Sequence, residues 1–295
     1  MREPRNRNLI EAELARDDEF YTRYEDVADE IEHYFRHDPA VFIGKRVYCP
    51  CDDWPHSQFI NFFKSNFHRL GLEHLAATGI AGQCYTYDGR EERVEQLENG
   101  SYRSPAATAL RDASDVIVTN PPFSLYRDFY EWLRGKDFIL VAPLHACWYK
   151  CTAADFVRGR FTLGATHRTG GFQFSTPTGM VTLGATIWIT TLAHGVAPER
   201  LELRTMKELD AAGVEFKFYD CDPSSRSSSP FILDVPKLKD IPSDYRGLMG
   251  VPISFARYYD PALFKIIRAD CHPKIKGRSQ FTRVIIRHRR KAQSA

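Results

Sequence analysis

The 295-residue chain lacks an apolar run approaching the ~20 residues that a membrane-spanning helix needs. Its opening, Met1-Arg2-Glu3-Pro4-Arg5-Asn6-Arg7-Asn8, holds no apolar segment, so no secretory leader is expected. A surplus of one charge sign is also missing: 40 Lys and Arg stand against 38 Asp and Glu, a net charge of +2. The bulk charge alone therefore announces neither a nucleic-acid binder nor an acid-binding surface. Cysteine is sparse and disordered in its spacing, with seven residues at 49, 51, 84, 147, 151, 221 and 271. An odd, irregular set suits reduced thiols in the cytoplasm better than a disulfide framework. Cys49-x-Cys51 and Cys147-x-x-x-Cys151 have no second Cys or His pair at zinc-ligand spacing, so no metal is expected. No internal repeat is present.

What the chain does have is 43% hydrophobic residues, ample for one large or two modest cores. Its basic residues are unevenly placed, with Arg2, Arg5 and Arg7 at one end and R-V-I-I-R-H-R-R-K over Arg283–Lys291 at the other. Such ends suit phosphate contacts and equally suit solvated tails.

Hydrophobic periodicity predicts alternating helices and strands. Val27, Ile31, Tyr34 and Phe35 recur at helical spacing over 24–36. The β-rich Arg46-Val47-Tyr48-Cys49 precedes Phe59, Phe62, Phe63, Phe67 and Leu70, a second amphipathic stretch with Ser57 as N-cap and Gly71 as C-terminal stop. Short strands are expected at Leu75–Thr78, Val116–Thr119 and Phe138–Ala142, with a helix over 124–134. A hairpin is expected around Gly170-Gly171, and Val181–Thr191 reads as one long strand. Parallel α/β units first and an antiparallel hairpin last give an α/β fold. Residues 1–16 read as a flexible arm and 17–193 as the main domain. The region 194–295 has a different texture, with a polar loop at Ser224–Pro230 and strand-like pieces at Val251–Phe255 and Val284–Ile286.

Asn120-Pro121-Pro122-Phe123 directly follows the apolar run ending at Thr119. In an open α/β sheet, ligands gather at the carboxyl ends of strands. The composition suits methylation of an exocyclic amine, whose lone pair is withdrawn into an aromatic ring. Such a nitrogen needs acceptors that hold its two hydrogens while it turns tetrahedral. The Asn120 side-chain carbonyl and the Pro121 backbone carbonyl supply two, and Pro121-Pro122 fixes the second without competing N–H groups. Phe123 offers a ring on which a base turned out of its helix can stack. A rigid Pro-Pro turn is the alternative reading of the same four residues.

The chain resembles the EcoRI-type adenine-specific DNA methyltransferases from about Asp17 to Arg287. The resemblance rests on D-E-F-Y-T-R-Y-E-D (Asp18–Asp26), V-Y-C-P-C-D-D (Val47–Asp53), S-D-V-I-V-T-N-P-P-F-S-L-Y-R-D-F (Ser114–Phe129) and I-P-S-D-Y-R-G-L-M-G-V-P-I-S-F (Ile241–Phe255). The Pro-Pro tetrapeptide is common to amino-methyltransferases, whereas the last stretch is particular to this family. The resemblance implies a Rossmann-like sheet that binds S-adenosyl-L-methionine (AdoMet) and a C-terminal target-recognition region. It also implies transfer to adenine N6 in double-stranded DNA, in restriction-modification or phage anti-restriction, with a restriction endonuclease as functional partner. Phe20, Tyr21 and Thr22 would then flank AdoMet, and Cys51, Asp52 and Asp53 would follow the first strand beside its amino-acid moiety, near Asn120. Carboxylates and aromatic faces favour a ligand carrying an ammonium and a sulfonium. Two features depart from the pattern. The usual G-x-G of the first methyltransferase loop is absent, and Gly100-Ser101-Tyr102-Arg103-Ser104 has Ser101 where relatives show Asp. No ribose-binding acid stands out, Asp88 being in a poorly patterned stretch.

Pro50-Cys51 does not make a cytosine-C5 enzyme, whose thiolate belongs after a later strand. Cytosine-N4 methylation, glutamine N5-methylation of proteins and a silent DNA-binding or nuclease-blocking module remain as alternatives. Candidate DNA contacts are Arg246, Lys274, Lys276 and Arg278.

Overall fold

The computed structural model describes residues 21–166, 172–176, 179–220 and 232–289. The 1–16 arm, Phe20, the Gly170-Gly171 turn, the 224–230 loop and the basic run from Arg290 lie outside the described residues. Two compact units divide the chain, one of residues 1–143 and 160–196, the other of 144–159 and 197–295.

In the first unit, α1 (Tyr24–His37) buries Val27, Ile31 and Tyr34 on one face, as their spacing predicts. Glu25 and Asp26 in its first turn and Arg36 and His37 in its last complement the helix dipole. Strand β2 (Arg46–Pro50) leads to α2 (Gln58–Ser65), where Ser57 Oγ accepts from the Ile60 amide at 3.4 Å. The expected single helix over 57–70 breaks at Asn66, whose side-chain amide donates to the Phe62 carbonyl at 2.9 Å. The remainder is α3 (Phe67–Leu70), ended by Gly71 at φ 68°.

The following elements are β3 (His74–Thr78), β4 (Gln83–Tyr87), β5 (Glu92–Gln96), α4 (Pro105–Ala113), β6 (Val116–Thr119), α5 (Tyr126–Trp132) and β7 (Asp137–Pro143). Short β8 (Thr162–Leu163) precedes β9 (Phe172–Thr176), β10 (Gly179–Leu183) and β11 (Thr186–Thr190). The main sheet runs β5-β4-β3-β2-β6-β7-β11-β8. Its centre, β3-β2-β6-β7, is parallel, and antiparallel strands flank it on both sides. Val47, Cys49, Val116, Val118, Ile139, Val141 and Trp188 join Phe59, Phe62 and Phe63 in one core.

A smaller sheet, β1-β9-β10, pairs β1 (Tyr21–Thr22) with β9. The strand expected over Val181–Thr191 is therefore two strands in different sheets. Ala185, at φ 56°, turns the chain between them, a conformation that an alternating apolar pattern does not reveal. Glu30, fully buried, ties α1 to the segment after β8. It accepts from Tyr34 OH at 2.7 Å, from the Ala165 and Thr166 amides at 2.9 and 2.8 Å, and from Thr166 Oγ1 at 2.6 Å.

The second unit contains α6 (Ala153–Val157), α7 (Met206–Ala211), β12 (Lys217–Phe218), β13 (Ile232–Asp234), β14 (Leu248–Pro252), β15 (Phe264–Cys271) and β18 (Arg283–His288). The sheet order is β12-β13-β14-β18-β15. Between its last two strands, β16 (Lys274–Ile275) and β17 (Arg278–Ser279) form a two-stranded arm. Thr205 and Glu208 make a reciprocal cap on α7. Within the sheet, Tyr219 OH and Arg283 Nε both donate to Asp234 Oδ1, at 2.7 and 3.3 Å. The buried Trp148 indole N–H donates to the Ile253 carbonyl at 2.8 Å. Among the described residues, no helix is long and apolar enough to cross a membrane.

Candidate functional site

β2 and β6 are neighbours from which the chain departs in opposite directions. After β2 it crosses to β3 on one flank, and after β6 to β7 on the other. Their carboxyl ends thus bound a topological switch point, the usual ligand crevice of an open α/β sheet.

Side chains join the two strand ends there. The Thr119 hydroxyl contacts the Pro50 carbonyl and lies 2.7 Å from Asp52 Oδ2. Ser57 Oγ donates to Asp52 Oδ1 at 2.7 Å, and the Asp52 amide bonds the Thr78 carbonyl at 3.0 Å. Tyr48 OH, 2.5 Å from Thr78 Oγ1, extends the network to β3. Both carboxylate oxygens of the buried Asp52 are engaged within the protein. Burial pushes its pKa up to about 7, against the opposing pull of the Thr119 and Ser57 hydrogen bonds.

The tetrapeptide continues from Thr119. Asn120 is half-buried and Pro121 and Pro122 are buried, while Phe123 packs its half-buried ring on the core. The Pro122 carbonyl accepts from the Leu125 amide at 3.0 Å and opens a short 3₁₀ turn, Phe123–Leu125. The Pro121 carbonyl accepts no hydrogen bond from the described residues.

On the other strand, Cys51 adopts φ 63°, an uncommon conformation for a residue with a side chain. Desolvation, with Asp52 and Asp53 nearby, pushes its thiol well above the usual range and so favours the neutral thiol. Asp53 Oδ1 is buried and without a hydrogen-bond partner among the described residues. It lies where a Cβ on Gly79 would stand, 1.7 Å from that added carbon. Burial raises the Asp53 pKa, while His56 and the Ile80 and Ala81 amides favour its charge.

Tyr21 and Thr22 pair with Ser175 and Phe174 of β9. With Tyr24, His56, Gln58 and others they line an open cleft of about 590 Å³. Tyr21 meets the His56 ring edge-on, centroids 6.4 Å apart, and the buried Thr22 hydroxyl has no partner among the described residues. The structure thereby brings the Tyr21–Thr22 segment to the loop that follows Asp53, and joins that loop to Asn120 through Thr119. His56 and Gly79 were not singled out from sequence. His56 sits in the Asp52–Ser57 loop, and Gly79 carries no spacing signal of its own.

Other positions have structural occupations. Ser101 is exposed and accepts from the Arg103 amide at 3.2 Å, and Ser104 caps α4. Asp88 is exposed and closes the β4–β5 turn by accepting from the Arg90 and Glu91 amides at 2.9 and 2.8 Å. Lys274, Lys276 and Arg278 are exposed together on the β16–β17 arm, whereas exposed Arg246 precedes β14. Among the described residues no His, Cys, Asp and Glu cluster could hold a metal ion.

The family model described as adenine-specific methyltransferase EcoRI matches residues 8–97 and 88–294. Type II methyltransferase M.MpnI of Mycoplasma pneumoniae is 30% identical over 94% of this chain and 97% of its own length. Type II methyltransferase M.EcoRI of Escherichia coli is 28% identical over 97% of each chain. Type II methyltransferase M.MgeORF184P of Mycoplasma genitalium is 27% identical over 88% of this chain and 84% of its own. No solved structure matches the chain. A matched region running nearly end to end, with the Asn-Pro-Pro-Phe turn at the switch point of the sheet, makes this chain a member of the EcoRI family of adenine-specific methyltransferases.

Proposed function

We propose that this protein transfers the methyl group of AdoMet to the N6 amine of adenine in double-stranded DNA. The observation that carries the reading is the joining of the two strand ends, Thr119 to Pro50 and Asp52, which sets Asn120 at the switch point. The parallel β3-β2-β6-β7 centre supports a Rossmann-like AdoMet fold.

The residues present suit that cofactor. AdoMet supplies an electron-poor methyl carbon on a sulfonium. The unpartnered Asp53 oxygen and Thr22 hydroxyl are buried polar atoms of the kind that a ligand completes. Asp53 and the aromatic Tyr21 suit the ammonium and sulfonium that the ligand carries. Asp52, spent on Ser57 and Thr119, positions the turn and makes no ligand contact of its own.

Asn120 accepts one N6 hydrogen through its side-chain oxygen, and the open Pro121 carbonyl accepts the other. Holding both hydrogens out of the ring plane frees the nitrogen lone pair. The nitrogen bonds the methyl carbon as the carbon–sulfur bond breaks, and its surplus proton leaves to water. No covalent link to the protein forms. Phe123, braced against the core, provides a ring on which the turned-out base stacks. The second unit acts as the target-recognition region, with Lys274, Lys276, Arg278 and Arg246 on backbone phosphates. The Type II names of the relatives support a role in restriction-modification beside a separate endonuclease.

Nucleoside mass spectrometry of unmodified DNA incubated with the protein and AdoMet tests the reading. N6-methyladenine is the expected product. N4-methylcytosine would keep the amine chemistry and overturn the base, and no methylated nucleoside from DNA of broad sequence content would sink the proposal.

A further inference from the structure

The arm between β15 and β18 presents an aromatic side chain to solvent on a braced, positively charged support. Cys271 pairs with Arg283 and Lys274 with Ser279. From Cys271 to Lys274 is three steps, and from Ser279 to Arg283 is four. His272 and Thr282 meet through their side chains at 3.1 Å, and the Gln280 amide donates to the Pro273 carbonyl at 2.8 Å. Phe281 is the extra residue on the longer side, in the stretch between β17 and β18. It is 86% exposed, more than any other large hydrophobic among the described residues.

Burial of apolar surface is the ordinary fate of a phenylalanine, and here the surroundings hold the ring out. Arg283, anchored on buried Asp234, donates from Nη1 to the Phe281 carbonyl at 3.4 Å. Ile275 packs on the Tyr219, Cys271 and Ile285 cluster and pins the arm to the sheet. At the tip, Lys276 and Gly277 take φ 50° and 74°, the sign pattern of a two-residue hairpin turn. The Asp220 carboxylate accepts both their amides at 2.8 and 2.7 Å. Residues 272–282 carry three exposed cations, Lys274, Lys276 and Arg278, and no carboxylate.

We infer that this arm is a DNA-distorting element in which Phe281 inserts between base pairs while the three cations hold the flanking phosphates. The inference rests on the proposed action on duplex DNA and adds the residue that deforms it. A protruding apolar side chain on a backbone-fixed, cationic support is what insertion between stacked bases requires. A protein partner would call for an apolar surface around the ring, and the other exposed side chains of the arm itself, His272, Lys274, Lys276, Arg278 and Ser279, are charged or polar.

The test uses the full chain and its Phe281→Ala, Phe281→Trp and Lys276→Gln variants on unmethylated plasmid DNA. Affinity is measured across a salt series, and unwinding is read as the linking-number change after topoisomerase relaxation. Phe281→Ala should bind roughly tenfold more weakly, the loss of about one stacking contact. Its salt slope should be unchanged and its unwinding lost. Phe281→Trp should keep both properties. Lys276→Gln should reduce the salt slope by about one while still unwinding. Phe281→Ala that binds and unwinds like the parent protein overturns the inference, as does Phe281→Ala that loses only self-association. Phe281-dependent unwinding without methyl transfer would sink the proposed reaction and leave the wedge standing. Methyl transfer with unwinding indifferent to Phe281 would do the reverse.

Discussion

Thr119 Oγ1 lies between two acceptors, the Pro50 carbonyl and Asp52 Oδ2, the latter at 2.7 Å. A hydroxyl has one hydrogen to give. Given to Asp52, it stabilises the carboxylate and opposes the rise in pKa; given to Pro50, it leaves Thr119 Oγ1 to accept a hydrogen from Asp52, which only the protonated acid can supply. Burial favours that neutral form and raises the Asp52 pKa from 3.8 to about 7. Asn at this position would mimic the acid, its amide donating to Thr119 and its carbonyl accepting from Ser57. Asp52→Asn should therefore keep turnover near that of the parent protein, and Asp52→Ala should lower it by about tenfold or more.

The same group gives a pH dependence of known sign. Because the folded-state pKa is raised, the contribution of Asp52 to stability is fully present below pH 3.8 and is lost as pH rises through about 7. Denaturant melts of the parent protein and Asp52→Asn across that interval should diverge, the Asn variant losing less stability on the way up. Parallel curves would mean that Asp52 carries no such proton.

Asn120→Ala should reduce kcat by about 100-fold or more, the scale of losing one oriented polar group at a reacting centre. AdoMet affinity should change little. Single-turnover kinetics and calorimetry separate the two, and retained turnover would remove the central mechanistic claim.

Gly79→Ala places a carbon 1.7 Å from Asp53 Oδ1, forcing the carboxylate away from its position. AdoMet binding should weaken by roughly tenfold or more, as for a displaced ionic contact. Gly184→Ala, with nothing within 4 Å of the added carbon, should leave affinity unchanged. Equal affinities for the two variants would separate Asp53 from the cofactor.

Glu30→Ala removes the acceptor of four hydrogen bonds in a fully buried setting. A loss of about 3 kcal/mol or more is expected in urea unfolding. A loss under about 1 kcal/mol would show that water replaces the carboxylate.

The parallel core was legible because its strands are apolar runs ending in polar turns, and Ser57 and Gly71 marked the ends of the helical region between β2 and β3. The β4–β5 hairpin was not. Glu92, Arg93, Glu95 and Gln96 are exposed on an edge strand, where charges guard an unpaired rim and imitate a loop in sequence. The α4 start was present in Ser104-Pro105, an N-cap followed by proline at the first turn, but lacked a strong apolar stripe. The adjacent acids Asp52 and Asp53 look equivalent in a sequence. Only the fold separates them, by turning one into the Ser57–Thr119 network and leaving the other an unpartnered oxygen against Gly79. Phe281 likewise has no sequence signal, since the one-residue difference in length between the two sides of the arm is visible only once Cys271 is paired with Arg283 and Lys274 with Ser279.

Trp148 has an optical consequence. Of the four tryptophans, Trp54, Trp132 and Trp188 belong to the first unit, and Trp148 alone belongs to the second. Its indole is buried and hydrogen-bonded to Ile253, so its emission is native-like only while that unit stays folded. A chain keeping Trp148 as its sole tryptophan, set beside one lacking only Trp148, would follow the melting of each half by selectively excited tryptophan emission. Coincident curves would mark one cooperative molecule and separated ones two independent thermometers.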